Sequence, residues 1–90
     1  MVYFMFGKEI HDFSSYRLFG VHKNGMLYCA TYYYDDNGIE TITSINTGEV
    51  FYNLIDYTRS IYGIATDYEW TECSYLTDDG DWSPLYLLCV

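Results

Sequence analysis

Short apolar or alternating runs separated by polar turns make up most of this chain, and one stretch has helical spacing. Val2–Phe6 is a short uncharged apolar run, which predicts a strand in the middle of a sheet. Residues 7–15 are polar and irregular and predict a loop or a single helical turn. Tyr16–Val21 and Met26–Tyr34 predict two strands. Asn24-Gly25 between them signals a type I′ hairpin, because both central positions need φ > 0. A two-residue loop there pairs Lys23 with Met26, Val21 with Tyr28 and Phe19 with Ala30. Asp35-Asp36-Asn37-Gly38 predicts a second turn into a strand over Ile39–Ile45. Symmetric pairing sets Tyr34 against Ile39 and Tyr32 against Thr41. Because side chains alternate across a strand, either Tyr33 or the pair Tyr32 and Tyr34 faces outward.

The helical stretch follows. Asn46 as N-cap with Glu49 at N3 matches a capping box, and Ile45 with Val50 matches a hydrophobic staple. Val50, Phe51, Leu54, Ile55, Thr58, Ile61 and Tyr62 then fall on one helical face. Arg59 suits the negative end of the helix dipole, and Gly63 suits the C′ position. Asp67–Leu76 predicts a strand with Tyr68 and Trp70 on one face and Glu69, Thr71, Cys73 and Tyr75 on the other. Asp78-Asp79-Gly80-Asp81 predicts a turn. Trp82–Val90 predicts the last strand, with Pro84 placing its start at a sheet edge. The expected fold is α+β over one domain, residues 1–90: a curved antiparallel sheet built from a β-meander, one helix and a C-terminal β-hairpin, with the helix on one face.

Composition bears on the surface more than on the fold. Half of the ninety residues are hydrophobic and twelve are tyrosine. A domain of this size buries roughly 60–65% of its unfolded surface, so some tyrosines must lie outside. There they offer stiff contact area with a hydrogen-bonding tip. Eleven of the thirteen acidic residues fall between Asp35 and Asp81, with Arg59 the single base among them, and the net charge is −9. A field of that sign attracts basic partners and repels nucleic acid and anionic membrane. The N-terminal run lacks the basic flank and length of a signal peptide, and no stretch approaches the ~20 apolar residues of a membrane span. The expected location is the cytoplasm.

The chemistry-bearing residues form no catalytic pattern. Cys29, Cys73, Cys89, His11 and His22 lack metal-ligand spacing, and an odd cysteine count is no disulfide framework. A calcium loop starting at Asp78 would need Glu at its twelfth position, where Cys89 stands. Nucleophile–base motifs and glycine-rich phosphate loops are absent, and Glu72 beside Cys73 opposes thiol activation. No enzyme activity, cofactor or metal is expected.

The acids and aromatics remain. Asp35, Asp36 and Glu40 group at one hairpin. Asp67, Glu69 and Glu72 lie along the expected strand. Asp78, Asp79 and Asp81 mark the second hairpin tip. Tyr33, Tyr68 and Trp70 adjoin them as candidate anchors. These twelve residues are the candidate partner-binding set. Strands rise about 3.3 Å per residue, so carboxylates in rows would approach the spacing of duplex phosphates, about 3.4 Å per strand. In size, acidity and plan the chain resembles the small phage-encoded inhibitors of bacterial defence, of the anti-CRISPR and anti-restriction type. That resemblance implies block of a guide-loaded nuclease or of its DNA site. The reading from the residues themselves is a stoichiometric inhibitor that binds the basic surface of a nucleic-acid-binding effector or nuclease. Charge logic equally fits an immunity protein or antitoxin against a basic nuclease toxin. A carbohydrate-binding module stacking sugars on Tyr68, Trp70 and Trp82 is the reading from another class. A homodimer, with a second copy on an open strand edge, is also permitted.

Overall fold

The computed structural model describes residues 3–12, 16–64 and 67–90. Its elements in chain order are β1 (Tyr3–Met5), β2 (Lys8–Ile10), β3 (Tyr16–Lys23), β4 (Met26–Tyr34), β5 (Glu40–Ser44), β6 (Val50–Phe51), α1 (Leu54–Tyr62), α2 (Glu69–Glu72), β7 (Cys73–Leu76) and β8 (Trp82–Pro84), then a 3₁₀ turn over Leu85–Leu88. Strands β6-β5-β4-β3-β7-β8 form one antiparallel sheet, and β1-β2 form a separate hairpin. The class is α+β with a curved antiparallel sheet, as the alternation implied.

The Asn24-Gly25 hairpin follows its local chemistry. Asn24 and Gly25 take φ of 52° and 78°, and Lys23–Met26, Val21–Tyr28 and Phe19–Ala30 are the observed partners. That register puts Phe19, Val21, Ala30 and Tyr32 on one face with Ile42 of β5. All five are fully buried. Leu54 and Tyr57 of α1, Trp70 of α2, and Leu85 and Leu88 of the 3₁₀ turn close over this face. Met5 and Ile10 of the small hairpin join the same core.

Several expectations are corrected. β1 is not central: among the described residues it pairs only with β2, lies over the buried face of the large sheet, and leaves Phe4 exposed. The loop expected after it contains β2, while residues 13–15 lie outside the described residues. The β4–β5 register is shifted by one, with Tyr34 opposite Glu40 and Tyr32 opposite Ile42. The loop holds an odd number of residues, with Gly38 left-handed at φ 80°, which is the bulged hairpin form rather than the symmetric four-residue loop expected.

α1 begins at Leu54, not near Asn46. Asn53 is the N-cap, its Oδ1 accepting from the Asp56 N–H at 2.8 Å. Gly48 has φ 77°, a backbone that no right-handed helix contains, and Val50 and Phe51 pair with Thr43 and Ile42 instead. At the other end Arg59 and Gly63 hold the expected places, and the Gly63 N–H donates to the Arg59 carbonyl at 2.7 Å. Residues 69–72 are helical rather than extended, and Leu85–Leu88 leave the sheet after only three strand residues. Both changes bury residues three apart: Trp70 with Cys73, and Leu85 with Leu88.

The core holds its tyrosines by hydrogen bonds. The Tyr32 hydroxyl donates to Glu40 Oε2 at 2.8 Å, and the Tyr57 hydroxyl donates to the Tyr28 carbonyl at 3.2 Å. Burial pushes both phenols well above their ordinary 10.0, and at Tyr32 the hydrogen-bonded Glu40 carboxylate adds to the rise. Folded Tyr32 and Tyr57 keep protons that the unfolded chain releases. Their contribution to stability is therefore complete below pH 10.0 and is lost as the pH rises beyond it. An alkaline titration followed by tyrosinate absorbance should show at least two of the twelve phenols ionising only as the chain unfolds. Reversible titration of all twelve in a folded protein would contradict this.

Candidate partner-binding surface

Two turns form the site, and the topology brings them together. β4 and β7 both run antiparallel to β3, which lies between them. They therefore point the same way, and the turns that follow them emerge at the same end of the sheet, opposite Asn24-Gly25. Two strand spacings separate β4 from β7, about 10 Å. Tyr75 lies opposite Phe19 and so opposite the level of Ala30. β4 thus extends three residues, about 10 Å, beyond the end of β7.

The turns share one construction. In the first, the Gly38 N–H donates to the Asp35 carbonyl and the Asp35 N–H to the Ile39 carbonyl. In the second, the Gly80 N–H donates to the Thr77 carbonyl and the Thr77 N–H to the Asp81 carbonyl. The first side chain of each turn accepts the N–H of the fifth residue: Asp35 Oδ1 from Ile39 at 2.9 Å, and Thr77 Oγ1 from Asp81 at 3.1 Å. Asp35 Oδ1 also accepts from Asn37 at 2.9 Å. The opening residue thus builds the turn, and the next two positions project outward. Those positions are Asp36 and Asn37 in one turn and Asp78 and Asp79 in the other, all exposed. Asp81 is exposed as well. Among the described residues the ion pairs are Arg17–Asp12 at 3.7 Å and Arg59–Asp56 at 3.8 Å. Neither draws on these four carboxylates.

Other candidate residues fall elsewhere. Glu40 Oε2 accepts from the Phe6 N–H at 2.9 Å as well as from Tyr32, fastening the small hairpin to the sheet. Replacing Glu40 with alanine leaves two donors short of a partner and should cost about 2–3 kcal/mol. Denaturant melts of this variant check it, and an unchanged midpoint would refute the role. Asp67, Glu69 and Glu72 do not line a strand. Asp67 is exposed ahead of α2, and Glu69 and Glu72 each bury one carboxylate oxygen that has no hydrogen-bond partner among the described residues. α2 leads into Cys73, which pairs with Val21 towards the Asn24-Gly25 end of the sheet, so this acidic group is remote from the two turns. Its neighbourhood is of mixed charge: Lys23 Nζ donates to the Ile61 carbonyl at 2.8 Å and lies 5.7 Å from the Tyr62 ring. Burial raises the Tyr62 phenol, and the Glu72 charge raises it further.

The aromatics divide too. Tyr33 is 50% exposed, beside the first turn, and Tyr68 is exposed ahead of α2. Trp70 is corrected: it is only 9% exposed and belongs to the core, with Lys8 Nζ 5.7 Å from its ring. It cannot anchor a partner, and a sugar-stacking row of Tyr68, Trp70 and Trp82 loses its middle ring. The shared turn pattern was readable from sequence as Asp-Asp-Asn-Gly against Thr-Asp-Asp-Gly. Its alignment at one end required the order of strands.

Cys73 is fully buried, and burial pushes its thiol upward, so it is no nucleophile. Among the described residues no group of three His, Cys, Asp or Glu side chains is placed to hold a metal ion. No described helix is long and apolar enough to cross a membrane. The chain matches no protein family model, and no curated protein or solved structure shows significant similarity to it.

Proposed function

We propose that the protein is a stoichiometric inhibitor that occupies a basic, nucleic-acid-binding surface on another protein, after the manner of anti-CRISPR and anti-restriction proteins. One observation carries this reading. Two turns closed by the same backbone hydrogen bonds present Asp36, Asp78, Asp79 and Asp81 at one end of the sheet, and no described base neutralises them. A field concentrated at one end steers a cationic partner and fixes the approach. Tyr33 on the adjoining strand supplies an aromatic contact of the kind that dominates interface energetics. The strand row needed to copy duplex phosphates is not formed, since residues 69–72 are helical. The turns act as electrostatic guides rather than as a replica of nucleic acid.

The test is competition. Immobilised protein is used to capture basic proteins from a bacterial lysate at low salt, and each captured protein is assayed for nucleic-acid binding by mobility shift. Addition of one equivalent of the inhibitor should release the nucleic acid. If every captured protein retains its nucleic acid under excess inhibitor, the reading fails.

A further inference from the structure

The face of the large sheet opposite the core is open among the described residues. Strand alternation and the observed register assign to it Leu18, Leu27, Tyr33, Leu76, Trp82 and Pro84, among others. All six are partly or well exposed. Gly20 is the buried exception, and its covering comes from the face itself. A Cβ built there would lie 2.7 Å from the Trp82 ring and 2.9 Å from Leu27 Cδ1. Trp82 therefore reaches across β7 and covers Gly20 in the middle of the sheet, with the His22 ring edge-on at 6.4 Å. No outward position on these six strands is Asp, Glu, Lys or Arg, although the chain carries seventeen such residues.

We infer that this face is the interface for a second copy of the chain. The inference does not rest on the inhibitor reading, although Tyr33 belongs to both surfaces. Charge makes the first argument. Two bodies of net −9 repel each other, so copies can meet closely only across a surface without carboxylates, and this face is one. A two-fold axis lying in the interface across the strands sends the acidic turns of the two copies to opposite poles. Area makes the second argument. Six strands averaging about five residues cover roughly 25 by 17 Å. Two such faces bury roughly 850 Å² in plan, the size of a weak, transient interface rather than of a permanent one. Edges make the third. Edge strand β6 has two residues, and edge strand β8 has three including Pro84, which lacks an N–H. Pairing by strand addition therefore has little to build on, and the face is the route that remains.

Sedimentation equilibrium of the whole chain from micromolar to millimolar concentration tests the assignment. A monomer–dimer equilibrium is expected. It should tighten as salt rises, because screening removes the mutual repulsion, whereas association with a basic partner should weaken. Leu27→Glu and Val50→Glu place a charge in the face at exposed positions, and circular dichroism verifies that the variants remain folded. Each should weaken the dimer about tenfold or more, without changing the salt response of partner capture. A wild-type chain that stays monomeric throughout, or a dimer indifferent to both substitutions, overturns the inference.

Discussion

Truncation of Phe19 to alanine is expected to cost about 3–5 kcal/mol, the largest loss from any single side chain considered. Phe19 is fully buried at the centre of β3, between β4 and β7. Its ring stacks on Tyr32, with centroids 5.3 Å apart and planes 19° apart. Tyr32 in turn meets the Phe6 ring edge-on at 5.6 Å and holds Glu40. The truncation therefore opens a cavity beneath the hydrogen bonds that fasten the small hairpin to the sheet, and neighbours held this way collapse poorly. A chain of ninety residues has only about 5–15 kcal/mol of total stability, so the variant should lie near its unfolding threshold. Urea titration measures the effect. A loss below about 1 kcal/mol would mean that Phe19 is not at the centre of the core.

Reversal of Asp36, Asp78, Asp79 and Asp81 to lysine should slow association with a basic partner by about tenfold to a thousandfold at low salt. Each reversal adds two positive units, so four take the net charge from −9 to −1. The fold should survive, because the bonds that build the turns come from backbone groups and from the side chains of Asp35 and Thr77. The same four reversals made at Glu49, Asp56, Asp67 and Glu72, away from the sheet end, give an identical net charge and should slow association less. Stopped-flow mixing compares the two sets. Equal slowing would show that total charge matters and its placement does not.

Strands β3, β4 and β5 and both acidic turns were legible because their signals are local. Asn24-Gly25 can adopt the required backbone, and the Gly38 and Gly80 positions close turns over a few residues. The start of α1 was not legible because the chain contains two acceptable caps. Asn46 with Glu49 and Asn53 with Asp56 have the same spacing, and only the pairing of β6 with β5 decides between them. Gly48, which adopts φ 77°, was the local warning. Trp70 and Leu85 were misplaced because strand-like alternation over a few residues also fits one helical turn. Their burial partners, Cys73 and Leu88, lie three residues on. The candidate site was half readable. The acids of the two turns were named individually, but the separation of Asp67, Glu69 and Glu72 from them depends on strand order. The uncharged face carrying Trp82 depends on register, which the sequence fixes only where both faces differ in polarity.

The proposed function requires that four unpaired carboxylates at one end of the sheet guide a cationic protein onto that end. The association rate as a function of ionic strength decides this, for the native chain and for the turn-reversed variant with the same captured basic protein. The native chain should slow steeply as salt rises and the variant should respond weakly, the two converging at high salt. Parallel salt dependences for the two proteins would contradict the claim.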